Sequence, residues 1–224
     1  MILHEGSRVV FVGDSVTDAG RDRTALPGGW GFGLGYVNHI HNLLTATYPD
    51  KSIMTINSGD SGDDIVRMAD RWQQDVLDFQ PHCISIMIGV NDVWRHFDGT
   101  LRQAPVHDVA MYERTYDDLL TQASRKDPAL EHIVVISPLM FEPNHDEPMR
   151  AMLETFAAAS RRIADRHHAI FVNAQADVDL LMTRQHSCIV SPDRVHPNER
   201  GAMVIARSWL KAVGFDWNRE SFDD

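Results

Sequence analysis

Apolar and polar positions along this chain fall into two alternating rhythms. Five short runs are apolar at nearly every position and rich in valine and isoleucine: RVVFVG (8–13), SIMTIN (52–57), HCISIMIG (82–89), HIVVISPL (132–139) and AIFVN (169–173). A strand with one wet face alternates apolar with polar residues, so runs of this kind predict strands buried on both faces. Between them lie longer stretches whose apolar residues recur at helical spacing, near 33–47, 63–78, 107–126, 147–166 and 199–213. In the last of these, Met203, Ile205, Ala206, Trp209 and Leu210 form one stripe, which makes Trp209 a core residue rather than a ligand contact. Strands alternating with helices predict a parallel sheet covered by helices on both faces. No internal repeat, low-complexity tract or Pro/Gly/Ser-rich linker interrupts the pattern, so residues 1–224 are expected to form one domain.

Composition narrows the function classes. The chain has 224 residues, 43% hydrophobic and 24% charged, enough to bury a core without a disulfide or metal staple. A net charge of −11 would repel a phosphate backbone, so no nucleic-acid partner is expected. No apolar run approaches the length of a membrane span, and MILHEGSRVVFVGDS lacks the pattern of a secretory leader, so no membrane partner is expected either. The only cysteines, Cys83 and Cys188, stand far apart and outside any CxxC, which suits a reducing compartment. Together these features predict a cytoplasmic protein. Of the twelve histidines, His39 and His41 point to different faces of a predicted helix and His167 and His168 are adjacent; neither spacing suits a metal, and no metal site is expected.

In an open parallel sheet, ligands bind beyond the carboxyl ends of the strands, so chemistry should appear in the loops there. Those loops read GDS (13–15), NSGDSGDD (57–64), GVND (89–92) and, near the C-terminus, SPDRVHP (191–197). Ser15 has two readings. It is a helix cap, forming with Asp18 an approximate capping box, or it is a nucleophile. The second reading needs a base, a group that orients the base, and oxyanion donors. His196 can be the base, and Asp193, three residues earlier, can hold its Nδ1–H. The side-chain amide of Asn91 and the backbone N–H groups of Gly62 and Ser15 can be the donors, although Asn91 as a turn residue and Gly62 as a positive-φ position are also self-sufficient readings. Trp94 and Arg95 put an aromatic ring and a guanidinium beside Asn91, which suits a carbohydrate ester, or else they pack against a neighbouring subunit. The segment GGWGFGLGY (28–36) lacks the placement of a dinucleotide-binding loop and is expected to be a flexible loop entering a helix, with Trp30 on the pocket rim.

Taken together, Gly13-Asp14-Ser15, Gly62 after Asn57, Gly89-Val90-Asn91-Asp92 and Asp193-Arg194-Val195-His196 resemble the four blocks of the SGNH hydrolases, also called GDSL esterases. The likeness runs from about residue 7 to residue 215. The segments GYVNHIHNLL, RWQQDVLDFQP, IMIGVNDVWR and DRVHPNERGAMVIARSWL resemble the intracellular acetylxylan esterase branch. The resemblance implies a flavodoxin-like three-layer α/β/α sandwich with a five-stranded parallel sheet in the order 2-1-3-4-5. It implies a triad of Ser15, Asp193 and His196, and an oxyanion hole of Ser15, Gly62 and Asn91. Candidate substrate contacts are Asp14, Trp30, Asp63, Trp94 and Arg95. The expected substrate is a small acetylated carbohydrate, with no cofactor and with room for a homo-oligomer. Two features depart from the pattern. Asp60, Asp63 and Asp64 crowd the second block, where they would bond sugar hydroxyls or simply be solvated, and Pro192 stands where related xylan esterases carry a tryptophan. The alternatives are a lysophospholipase or thioesterase acting on longer acyl esters, and a non-catalytic carbohydrate-binding relative.

Overall fold

Each of the five apolar runs contributes a strand in the computed structural model, which describes residues 1–101 and 104–219; the rest of the 1–224 span lies outside that description. In chain order the elements are β1 (Arg8–Gly13), α1 (Ser15–Asp18), α2 (Tyr36–Thr47), β2 (Met54–Gly59), α3 (Ile65–Asp70), α4 (Trp72–Asp75), β3 (Cys83–Met87), α5 (Val90–Trp94), α6 (Val109–Lys126), β4 (His132–Ile136), α7 (Pro148–Arg166), β5 (Ile170–Val172), α8 (Ala174–Met182) and α9 (Glu199–Ala212). The strands pair in parallel in the order β2-β1-β3-β4-β5, as the resemblance implies.

Successive residues of each strand feed opposite cores, which explains why the runs are apolar throughout. Val10, Val12, Ile84, Ile86 and Val135 meet α3, α4, α6 and α7 through Met68, Trp72, Tyr116 and Phe156. Val9, Phe11, Cys83, Met87 and Val134 meet α2, α8 and α9 through Ile40, Val178, Ala206 and Trp209. The result is a three-layer α/β/α sandwich. Trp209 is fully buried, packs 5.2 Å from the Phe11 ring and donates its indole N–H to Ser85 Oγ at 3.0 Å. Its truncation to alanine would cost about 3–5 kcal/mol.

Among the boundaries that differ from the sequence expectation, three lie around the carboxyl ends of the first three strands. The second strand begins at Met54 and runs on to Gly59, because Ser52 sits at φ 47 and the ladder with β1 continues to the Gly13–Gly59 pair. The helix expected over 63–78 breaks at Arg71, whose guanidinium turns inward to Asp63, Asp75 and the carbonyls of Ser58 and Gly13. The third strand stops at Met87 because Gly89, at φ 127, turns the chain into α5. That conformation is open to glycine and strained for other residues. The helix α8 was not expected: it buries only Ala174, Gln175 and Val178 and leaves Leu180 exposed, too narrow a stripe to read as a period.

Candidate active site

The carboxyl ends of β1, β2 and β3 lie side by side, with Gly13 level with both Gly59 and Met87. The three loops that follow therefore open on one another. Ser15 is the first residue of α1, but it does not cap it. Asp14 is the cap: its carboxylate accepts from Val16 N at 2.9 Å, while its carbonyl accepts from Thr17 N and Asp18 N. Asp18 turns away from Ser15 and accepts from Arg21 N, Ser61 N and Ser61 Oγ. The capping-box reading of Ser15 is thus corrected. With the cap supplied by its neighbour, the Ser15 hydroxyl is left for another partner.

That partner is His196, whose Nε2 lies 2.7 Å from Ser15 Oγ. The turn that carries it is built locally by one carboxylate. Asp193 Oδ1 accepts from Val195 N at 2.9 Å and His196 N at 2.8 Å, and Oδ2 lies 2.6 Å from His196 Nδ1. The turn is anchored where Arg194 O accepts from Phe141 N and where the Arg194 side chain pairs with Glu142. Burial alone would raise the Asp193 carboxyl, but hydrogen bonds from the His196 ring and from the His196 and Val195 amides outweigh it, and its pKa lies below the ordinary value. An ionised Asp193 on Nδ1–H leaves Nε2 as the acceptor facing the hydroxyl.

Three donors belong to residues that line the same pocket as the hydroxyl. Asn91 is buried in α5. Its Nδ2 donates to Asp63 O at 2.8 Å and its Oδ1 accepts from Arg95 at 3.1 Å, which fixes the amide with its nitrogen toward the second loop. Gly62 sits at φ 89, a left-handed conformation suited to glycine. Its N–H and that of Ser15 have no acceptor among the described residues. Ser15, Gly62, Asn91 and His196 line one pocket of about 420 Å³, completed by Ser61, Trp94, Arg95 and Asp98. The Trp94 ring lies 5.9 Å from the His196 ring at 48°, and Arg95 pairs with Asp98 at 2.7 Å. Such an arrangement can pass a proton from a hydroxyl to an imidazole while three N–H groups receive a developing oxyanion.

The pocket thus gathers Ser15, Gly62, Asn91, Trp94, Arg95 and His196, with Asp193 behind His196. It does not include three residues expected as substrate contacts. Asp14 is buried beneath it as the α1 cap, and desolvation pushes its carboxyl up to about 7. Asp63 is buried and bound to Arg71 at 2.7 Å, with burial raising its pKa against the pull of that guanidinium. Trp30 lines a different cavity. The neighbouring acids are engaged too: Asp60 takes both terminal nitrogens of Arg23, and Asp64 caps α3 by accepting from Val66 N and Arg67 N. All three acids of the second block are therefore held by protein partners rather than offered to a sugar. Sequence reasoning missed Ser61 and Asp98 as lining residues. Ser61 lay unremarked inside a loop already singled out, and Asp98 had no signal beyond its spacing from Arg95.

Comparison with known proteins gives a consistent likeness. Residues 11–204 match the model of the GDSL-like lipase/acylhydrolase family. An acetylxylan esterase of Geobacillus stearothermophilus is 34% identical over 220 residues, covering 98% of this chain and 99% of the relative. A crystal structure of an acetylxylan esterase from that organism superposes with a TM-score of 0.92 at 33% identity, over 99% of this chain and all of the other. Structures described as its catalytic mutants, with alanine for a serine, an aspartate or a histidine, superpose equally well. An alpha/beta hydrolase from the metagenome of Lake Arreo, Spain, is 36% identical with a TM-score of 0.90, over 96% of this chain and 98% of that one.

Proposed function

The chain belongs to the GDSL-like lipase/acylhydrolase family, and on that premise we propose that it is a serine esterase removing acetyl groups from acetylated xylo-oligosaccharides. The observation that carries the reading is the unbroken line from Asp193 Oδ2 through the His196 ring to Ser15 Oγ, with contacts of 2.6 and 2.7 Å. Ser15 Oγ attacks the acetyl carbonyl carbon as its proton passes to His196 Nε2. The carbonyl oxygen takes the negative charge and rests on the N–H groups of Ser15 and Gly62 and on Asn91 Nδ2. The imidazolium, stabilised by ionised Asp193, returns the proton to the sugar oxygen, which leaves as an alcohol. Water then gives its proton to His196 and its oxygen to the acetyl carbon, releasing acetate and restoring Ser15.

Trp94 supports the sugar side of this reading by offering a ring face at the pocket wall, with Arg95 and Asp98 as polar neighbours. Among the described residues Trp94 is the one strongly apolar side chain in that lining, so a long acyl chain would find little wall to bury against. The test is incubation of purified protein with acetylated xylo-oligosaccharides, followed by NMR. Acetate release by wild type and about 10⁶-fold slower release by Ser15→Ala is expected. A p-nitrophenyl ester series should show kcat/KM highest at acetate. A maximum at octanoate or beyond would transfer the reading to lipid-like esters.

A further inference from the structure

The segment between α1 and α2 builds a second cavity that the acetyl chemistry does not use. It holds about 260 Å³ and is walled by Arg21, Asp22, Trp30, Ser58, Asp75 and Phe79 among others; none of its lining residues belongs to the Ser15 pocket.

The feature that calls for a ligand is Arg21. Its Nε donates to Gly59 O at 2.7 Å, but its two terminal nitrogens have no partner among the described residues. The surrounding guanidinium groups are satisfied: Arg23 forms a two-pronged pair with Asp60, and Arg71 binds Asp63 and Asp75. Asp18, three residues before Arg21, spends its oxygens on Arg21 N, Ser61 N and Ser61 Oγ. Burial lowers the Arg21 pKa, and the positive charge of Arg23 pushes the same way. Arg21 lines the cavity, and a carboxylate answers both the charge and the geometry of a guanidinium fork that no protein group among the described residues takes.

The rest of the wall narrows the ligand. Trp30 is 65% exposed, so its ring face is available. Asp22 receives Thr24 N and Oγ1 on Oδ1 alone, and Asp75 receives Arg71 on Oδ2 alone, which leaves one oxygen of each to accept from hydroxyl groups. Two carboxylates at the wall, on a chain of net charge −11, oppose a dianion such as phosphate more than a single carboxylate. We propose that this cavity binds a sugar acid of monosaccharide size, with its carboxylate on the Arg21 fork, its ring face on Trp30 and its hydroxyls on Asp22 and Asp75.

The site stands apart from Ser15, so it can be tested without reference to acetyl transfer. Sodium glucuronate is titrated calorimetrically into wild type, Ser15→Ala, Arg21→Gln and Trp30→Ala, with glucose and inorganic phosphate as control ligands and a thermal melt for each variant. Saturable glucuronate binding is expected, equal in wild type and Ser15→Ala and undetected for glucose. Arg21→Gln should weaken it at least about tenfold, the loss of hydrogen bonds to a charged group. Trp30→Ala, a change at an exposed side chain that leaves Arg21 in place, should weaken it several-fold. No saturable binding, full binding in folded Arg21→Gln or in Trp30→Ala, loss of binding in Ser15→Ala, or phosphate binding as tightly as glucuronate would each overturn the proposal.

Discussion

Asp193 and Asp92 are two carboxylates in the loops and helix turns around one pocket, and both accept from backbone N–H groups. Asp193 takes Val195 N and His196 N, while Asp92 takes Ile65 N on both oxygens at 3.2 Å. Their surroundings send them in opposite directions. The Asp193 side chain is 40% exposed and carries the His196 ring on its second oxygen, which keeps it ionised. Asp92 is fully buried with no cationic partner in hydrogen-bond contact among the described residues, and desolvation pushes its carboxyl up to about 8. The first can stabilise an imidazolium that appears only during reaction. The second is a neutral peg joining the start of α3 to α5 at ordinary pH. Residue type and nearness to the pocket do not separate these roles; the balance between lost water and gained donors does.

Exchanging each carboxyl for an amide breaks the comparison at its strongest point. Asp193→Asn should lower kcat by about 10⁴, because an amide neither fixes the required tautomer nor balances the imidazolium. Asp92→Asn should leave kcat within about tenfold, since an amide resembles the protonated carboxyl it replaces. Ester hydrolysis by both variants, alongside thermal melts, checks the contrast, and equal losses would remove it. The next effect belongs to the residue beside Asp92. Asn91→Ala should cost about 10²–10³ in kcat with little change in KM, because the oxyanion it serves exists only in the transition state; steady-state kinetics separate the two constants.

A further effect is on stability. The Asp92 pKa is raised on folding from its ordinary 3.8 to about 8. The folded state therefore holds the extra proton, and the stability this contributes is complete below pH about 3.8 and is lost as pH rises through about 8. Across that window it falls by up to about 1.4 kcal/mol per pH unit. Urea unfolding at several pH values should show wild type losing stability relative to Asp92→Asn as pH rises from 4 to 8. Asp14, pushed up to about 7, has the same sign and leaves a residual slope in the variant.

The part of the site that was legible in the sequence is the part built by short-range geometry. Asp193 folds onto His196 within one turn, and Ser15, Gly62 and Asn91 follow strand ends whose apolar runs are unmistakable. Asp63 and Trp30 were misplaced because their surroundings are set by distant partners, whereas Asp14 is held by the Val16 amide two residues on, the capping role expected of Ser15. Nothing near Asp63 in the chain announces that Arg71 would turn inward to take it and two strand-end carbonyls, breaking its own helix in the process. Asp60 is claimed by Arg23, from a loop 37 residues away. The loop containing Trp30 folds around Arg21 and Phe79 instead of over Ser15. The helix α8 is illegible for a different reason, since a helix with three buried residues carries almost no periodic signal.

The claim on which all of this rests is that Ser15 carries the acetyl group between sugar and water. Rapid-quench mass spectrometry tests it directly, by following wild type and Asp193→Asn during turnover of an acetyl ester and mapping any acetylated peptide. The expected result is one acetyl group on Ser15 within the peptide that follows β1, appearing before acetate accumulates and absent from Ser15→Ala. Turnover with no acetyl adduct on Ser15 in either protein, together with acetate release by Ser15→Ala within about tenfold of wild type, would contradict it.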